Sequence, residues 1–229
     1  MNGVTTENIE QIASGERSRP RTCVVCLRAD RPMTREHVFA HWLVLRLHGG
    51  RLVPSQPSAA PTRIGRVIAN VCAECNAGWM SGLEVSFRSA MFARPRVGAI
   101  HPQDRVILSR WFTKTAVLLA EANGGTLIGA PHRAQLVRGM PDDIEVFVAR
   151  RRRPRQHLDF SLDAITDPEA GAMRVRSVAM LVDDLVGHVA TRGTLASRHG
   201  TRLWPLRSHT IRWETLPVIT SFVAREDEE

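Results

Sequence analysis

The chain contains no tyrosine and only four cysteines in 229 residues. Lys114 is its single lysine. No apolar run approaches the ~18 residues that a bilayer-crossing helix needs, and the beginning lacks a basic stretch followed by an apolar one. Neither a membrane span nor a secretory leader is therefore expected. The four cysteines all stand in metal-ligand spacing, which speaks against a secreted disulfide framework and for a reducing cytoplasm. No internal repeat is present, so a repeat architecture is not expected. With 43% hydrophobic and 24% charged residues, the composition is that of an ordinary globular protein. A chain of this length forms one large or two small domains.

The scarcity of lysine sits inside a basic chain of net charge +8 and pI near 10.9. Residues 1–16 carry three acids and no base, and residues 17–100 carry 13 arginines against Asp30, Glu36, Glu74 and Glu84. Residues 101–229 are nearly balanced, with 18 bases and 16 acids. A coding bias accounts for arginine over lysine but not for this segregation. A basic field raises affinity for a polyanion such as nucleic acid.

The basic segment also holds the cysteines, as Cys23-Val24-Val25-Cys26 and Cys72-Ala73-Glu74-Cys75. A C-x2-C turn presents two thiolates together, and two such turns complete a tetrahedral sulfur set for Zn2+. The 45 residues between them exceed a simple zinc ribbon and leave room for working parts.

Residues 1–20 read as a flexible lead-in, with a short helix over 5–14. From Glu36 the spacings 38/42/45 and 39/43/47 suit a helix, with Thr34 as a cap that only partly matches a capping box. Residues 51–63 read as a loop, 64–71 as a strand and 76–92 as a helix weakened at Gly82. The composition shifts at 94–98. Beyond it, 104–122 is the strongest helix pattern in the chain, stopped by Asn123-Gly124-Gly125. Strand patterns follow at 144–150, 157–163, 173–182, 186–191 and at 210–213 or 218–223. The run Arg150 to Arg155 reads as a phosphate contact or a solvated hairpin. Residues 226–229 form an acidic tail.

Between and beside the cysteines stand Glu36, His37 and Asn76. A metal nuclease needs oxygen ligands for a divalent cation and a base to activate water. Glu36 and Asn76 can supply the oxygens. His37 can supply an imidazole, a group that generally titrates near ~6.5 and so suits a base at neutral pH. The plainer readings are a polar helix residue for His37 and a helix cap for Asn76. His41, one helical turn after His37, is a further ligand candidate. Arg28, Arg35, Arg63 and Arg66 are candidate phosphate contacts, with plain solvation as the alternative. Trp42, Trp79 and Phe87 read as core.

Cys-x2-Cys, then Glu-His, then Asn-Val-Cys-x2-Cys-Asn resembles the zinc-bearing HNH endonucleases of ββα-metal type. The resemblance covers about residues 22–92. It implies that Glu36 is the acidic metal ligand, His37 the general base, Asn70 the middle asparagine and Asn76 the ligand borne by the helix. It also implies structural Zn2+ on the four cysteines and catalytic Mg2+ or Mn2+. This sequence departs from the pattern in four places. Glutamate replaces the commoner aspartate, Asn70 lies close to Cys72, the segment after His37 reads as helical, and Gly78-Trp79 stands where a basic residue is common.

The fold expected is α+β: a flexible 1–20, an HNH-like zinc-stapled ββα-metal module over 21–97, and an α+β domain over 98–225. In that second domain a long helix lies on an antiparallel sheet. The activity expected is hydrolysis of nucleic-acid phosphodiesters, DNA first. The alternative is a zinc-stabilised nucleic-acid-binding protein without cleavage. A homodimer through the C-terminal domain is the further partner considered.

Overall fold

A computed structural model of the chain describes residues 22–48, 67–93, 95–152, 158–166, 172–194 and 200–220. The readings of 1–20, 5–14, 51–63 and 226–229 fall outside these residues. So do Arg63, Arg66 and Arg153 to Arg155.

Strand β1 (Met33–His37) pairs antiparallel with β2 (Ile68–Cys72), in a register that sets Arg35 opposite Asn70 and Glu36 opposite Ala69. Side chains alternate across a strand. Thr34 and Glu36 therefore share the face of buried Ala69 and Val71, while Arg35 and His37 are exposed. The sequence predicts a helix from Glu36, but the helix α1 starts only at His41 and runs to His48. Pairing with β2 satisfies the backbone of 33–37, so helix formation is deferred past the buried pair Val38 and Phe39. Thr34 is accordingly a strand residue. It caps no helix, and its hydroxyl donates to Val71 O at 2.8 Å.

The chain re-enters helix at Cys72, whose Sγ accepts from Cys75 N–H. One turn, α2 (Ala73–Cys75), passes into a widened π segment over Asn76–Met80 and then into α3 (Ser81–Phe92). The irregular residue is Gly78, with ψ −112°, rather than Gly82. The missing side chain at Gly78 tolerates this break. Leu83, Phe87 and Met91, spaced four apart, form the buried stripe of α3.

Helix α4 (Pro102–Ala122) follows, with proline in its first turn and the His101 ring accepting from Gln103 N–H. Its middle is buried on every side, Ser109, Thr113, Lys114 and Thr115 included. The reason is its central place: α3 and β2 pack on one flank, and the large sheet packs on the other. Phe87 stacks on Trp111 at 3.8 Å between ring centres and 8° between planes.

The large sheet holds β3 (Gly125–Thr126), β4 (Ile144–Arg151), β5 (Leu158–Thr166), β6 (Met173–Val182), β7 (Leu185–Thr191), β8 (Thr201–Trp204) and β9 (Val218–Ile219). Its path is β3-β6-β7-β4-β8, with β5 also on β6 and β9 on β4. Most neighbours are antiparallel, but β3–β6 and β4–β9 are parallel, so the sheet is mixed. Helix α5 (Ala130–Leu136) and strand β8 have no counterpart in the sequence reading, and 210–213 contributes only a bridge from Arg212 to Ala99. One hydrophobic core runs through Val25, Phe39, Phe87, Trp111, Val148 and Leu203. It joins the hairpin unit to the sheet through α4.

Candidate metal centre and its carboxylate neighbour

The first knuckle closes through Leu27 N–H to Cys23 O at 2.9 Å, with Leu27 in the left-handed region at φ 63°. It docks on β2 through Val24 N–H to Asn70 O at 3.0 Å. The second knuckle is the start of α2. Together they bring the four Sγ atoms within 4.8 Å of one another, the one such cluster of metal-ligating side chains among the described residues. Cys26 Sγ and Cys72 Sγ are 3.6 Å apart, far beyond a disulfide bond. Tetrahedral thiolates on Zn2+ at ~2.3 Å would stand about 3.8 Å apart. The donor set therefore fits a metal ion such as zinc.

Burial pushes the Cys72 thiol up, but the Cys75 N–H and the neighbouring thiols outweigh it and hold it at about 7. Burial pushes the Cys75 thiol well above its ordinary value, and burial likewise raises Cys26. Trp79, one turn after Cys75, is close enough to counter that residue's rise, though its buried indole N–H makes no hydrogen bond among the described residues.

Across the hairpin, Asn76 Nδ2 donates to Thr34 Oγ1 at 3.1 Å, and the same side chain lies close enough to act on Glu36. Two of the predicted site residues are thus brought together by the strand–helix contact. Burial pushes the Glu36 carboxyl above its ordinary value, against the opposing pull of Lys114 and Asn76. A second carboxylate, Glu84, lies eight residues beyond Asn76 on the same helical run. It accepts from Lys114 Nζ at 2.6 Å, Trp111 Nε1 at 2.8 Å and Trp42 Nε1 at 3.2 Å. Helices α1, α3 and α4 meet on this one side chain.

No family model, curated protein or solved structure matches the chain.

The remaining predicted residues are placed as follows. His37 ends β1 on the exposed face, opposite the one that carries Glu36, yet close enough for its charge to act on Glu36. Asn70 lies on that exposed side too, opposite Arg35, and its carbonyl anchors the first knuckle. His41 is exposed at the first position of α1. Arg28 pairs with Asp30, and Arg35 is exposed. Arg150 pairs with Asp184 at 2.7 Å. Three partners were missed by sequence reasoning: Thr34, Glu84 and Lys114. For Lys114 a signal existed, since one lysine in an arginine-rich chain is a choice that arginine did not satisfy.

Proposed function

We propose that this protein is a metal-dependent endonuclease of HNH type, hydrolysing phosphodiester bonds of nucleic acid, with DNA as the first substrate to test. The observation that carries this reading is the meeting of Glu36 and Asn76 on a strand–strand–helix unit, next to four clustered cysteines. A structural Zn2+ held by Cys23, Cys26, Cys72 and Cys75 would tie the knuckle on β2 to the start of the helix, and so fix where Asn76 stands.

Glu36 and Asn76 are the residues that would hold Mg2+ or Mn2+, through a carboxylate and an amide oxygen. When bound, that cation supplies stabilisation for the charge that develops on the phosphorus oxygens and the leaving 3′-oxygen. His37, exposed at the end of β1, takes the proton from the attacking water. The water oxygen forms the new P–O bond and the bond to the 3′-oxygen breaks. The products are a 5′-phosphate and, after protonation from solvent, a 3′-hydroxyl. The arginine-rich charge of residues 17–100 draws in the polyanion.

One observation favours a second reading, a zinc-stabilised nucleic-acid-binding protein without cleavage. Strand alternation sends His37 and Asn70 to the face away from Glu36. The test is cleavage of supercoiled plasmid by zinc-loaded wild type and His37→Ala, with Mg2+, Mn2+ or EDTA. Metal-dependent nicking that His37→Ala loses, with zinc retained, is expected. Salt-dependent binding without cleavage of plasmid, single strands or RNA would select the second reading.

A further inference from the structure

Arg105 is the fourth residue of α4, and it is only 4% exposed. Helical side chains lean back toward the helix start, so its guanidinium lies over the first turn. There Nη1 donates to two carbonyls, Arg207 O at 3.2 Å and His209 O at 3.3 Å. Nε and Nη2 are buried and have no hydrogen-bond partner among the described residues. Burial, with no acid to oppose it, holds this guanidinium below the ordinary arginine value.

Which nitrogens lack a partner matters. Nε–H and one Nη2–H point the same way and form the side-on fork that grips two oxygens of one carboxylate or phosphate. In Arg105 the fork is empty, while the remaining nitrogen holds the backbone of 207–209. Burying a cation without a counter-charge opposes folding. A tie to two backbone carbonyls does not require that cost, since the neutral amide of a glutamine donates as well.

The surroundings carry the same sign. Arg207, His209 and the helix-capping His101 are exposed, and the start of a 21-residue helix adds its own partial positive charge. Asp104 is the one acid in that first turn. Ile100 N–H donates to Ile211 O at 2.7 Å, which brings the segment after 210 alongside the helix start. Glu214, the acid on that segment, is engaged by Gly98 N–H and Arg212.

We infer that the Arg105 fork at the start of α4 is a binding site for a phosphate group, covered by the 205–210 segment. That cover is suited to lifting, because it has no regular structure and Leu206 to Thr210 are exposed. A phosphate suits the place better than a carboxylate. It brings more charge, and further oxygens for Arg207 and for the N–H groups of the helix start. The inference is independent of the endonuclease reading, since no residue of the hairpin takes part. The phosphate is either free or part of a nucleic-acid backbone, and the test separates the two.

Hydrogen exchange read by mass spectrometry on the full, zinc-loaded wild type locates the ion, with inorganic phosphate against chloride at equal ionic strength. Phosphate is expected to slow exchange in 100–106 and 205–212 and to leave β5 and β6 unchanged. Calorimetric titration with phosphate then compares wild type with Arg105→Lys, which keeps the charge but lacks the fork. Affinity is expected to fall about tenfold. Oligothymidylate is the third probe. If the site takes a nucleic-acid backbone, the oligonucleotide protects the same two segments and Arg105→Lys weakens it by a similar factor. If it takes free phosphate, the oligonucleotide leaves both segments unprotected while inorganic phosphate still protects them. No slowing in wild type, slowing spread evenly along the chain, or equal phosphate affinity in a folded Arg105→Lys would overturn the inference. Should Arg105→Lys not fold, the wild-type exchange map decides alone.

Discussion

At the scale of single residues, the site is a matter of which carboxylate keeps its proton. Glu36 is desolvated between β1 and the helix start, so its carboxyl titrates above the ordinary glutamate value of 4.5. If Glu36 is a metal ligand as proposed, a proton and a cation compete for the same oxygens. Mn2+ affinity is therefore expected to climb as pH rises through the raised Glu36 value, and to flatten once the group is ionised. The metal-free fold has the opposite sign. A raised carboxyl value favours the folded state at low pH, and that contribution is lost as pH rises through it. Isothermal titration of Mn2+ between pH 4.5 and 8 checks the slope, and Glu36→Gln should abolish both slope and affinity. A pH-independent affinity in the wild type would mean that Glu36 is not a ligand. The nearness of Glu36 and Asn76 was expected from their spacing to the cysteines. Glu84 and Lys114 were not, because polar residues inside apolar helix stripes read as gaps in the stripe, and nothing in one dimension brings 84 to 114.

At the scale of elements, α4 was the easiest to read and β1 the hardest, for the same physical reason. A helix of 21 residues repeats its period several times and carries caps at both ends. A strand of five residues with three titratable side chains, Arg35, Glu36 and His37, carries hardly one alternation. Only its partner β2 decides its conformation. Helix α5 left one clue that was not used, a proline two residues after Gly129, at the start of the helix. β7 crosses α4 closely at Phe112. A Cβ on Gly187 would lie 2.3 Å from that ring. Gly187→Ala should therefore push Phe112 off its edge contacts with Phe87 and Trp111 and destabilise the fold by about 1–3 kcal/mol. Thermal unfolding measures the loss. An unchanged midpoint would show that the ring has room to move.

At the scale of the whole molecule, the shift in composition near residue 97 does not coincide with a break in the core. The buried residues of the hairpin unit continue into α4 and on to β4 and β8 without interruption. α4 is shared: one flank closes the site and the other closes the sheet. Composition registers where the polypeptide changes character, but it is blind to a helix that faces both ways. The first knuckle is held in the same manner, since Arg133 of α5 reaches Val24 O at 3.2 Å while pairing with Glu121 of α4 at 2.6 Å. Loosening the four cysteines should therefore be felt beyond the hairpin.

The absence of tyrosine gives that coupling an optical readout. All near-ultraviolet emission of the chain comes from its five tryptophans. Trp42 and Trp111 donate to Glu84, and Trp79 lies one turn from Cys75 against Arg110. Stripping the metal with a chelator should shift emission to the red as these indoles meet water, and readdition of Zn2+ should reverse it. A spectrum indifferent to chelation would mean that the cysteine cluster and the carboxylates behave as independent bodies. Should the shift occur, every preparation would report, unlabelled and in real time, whether its site is assembled.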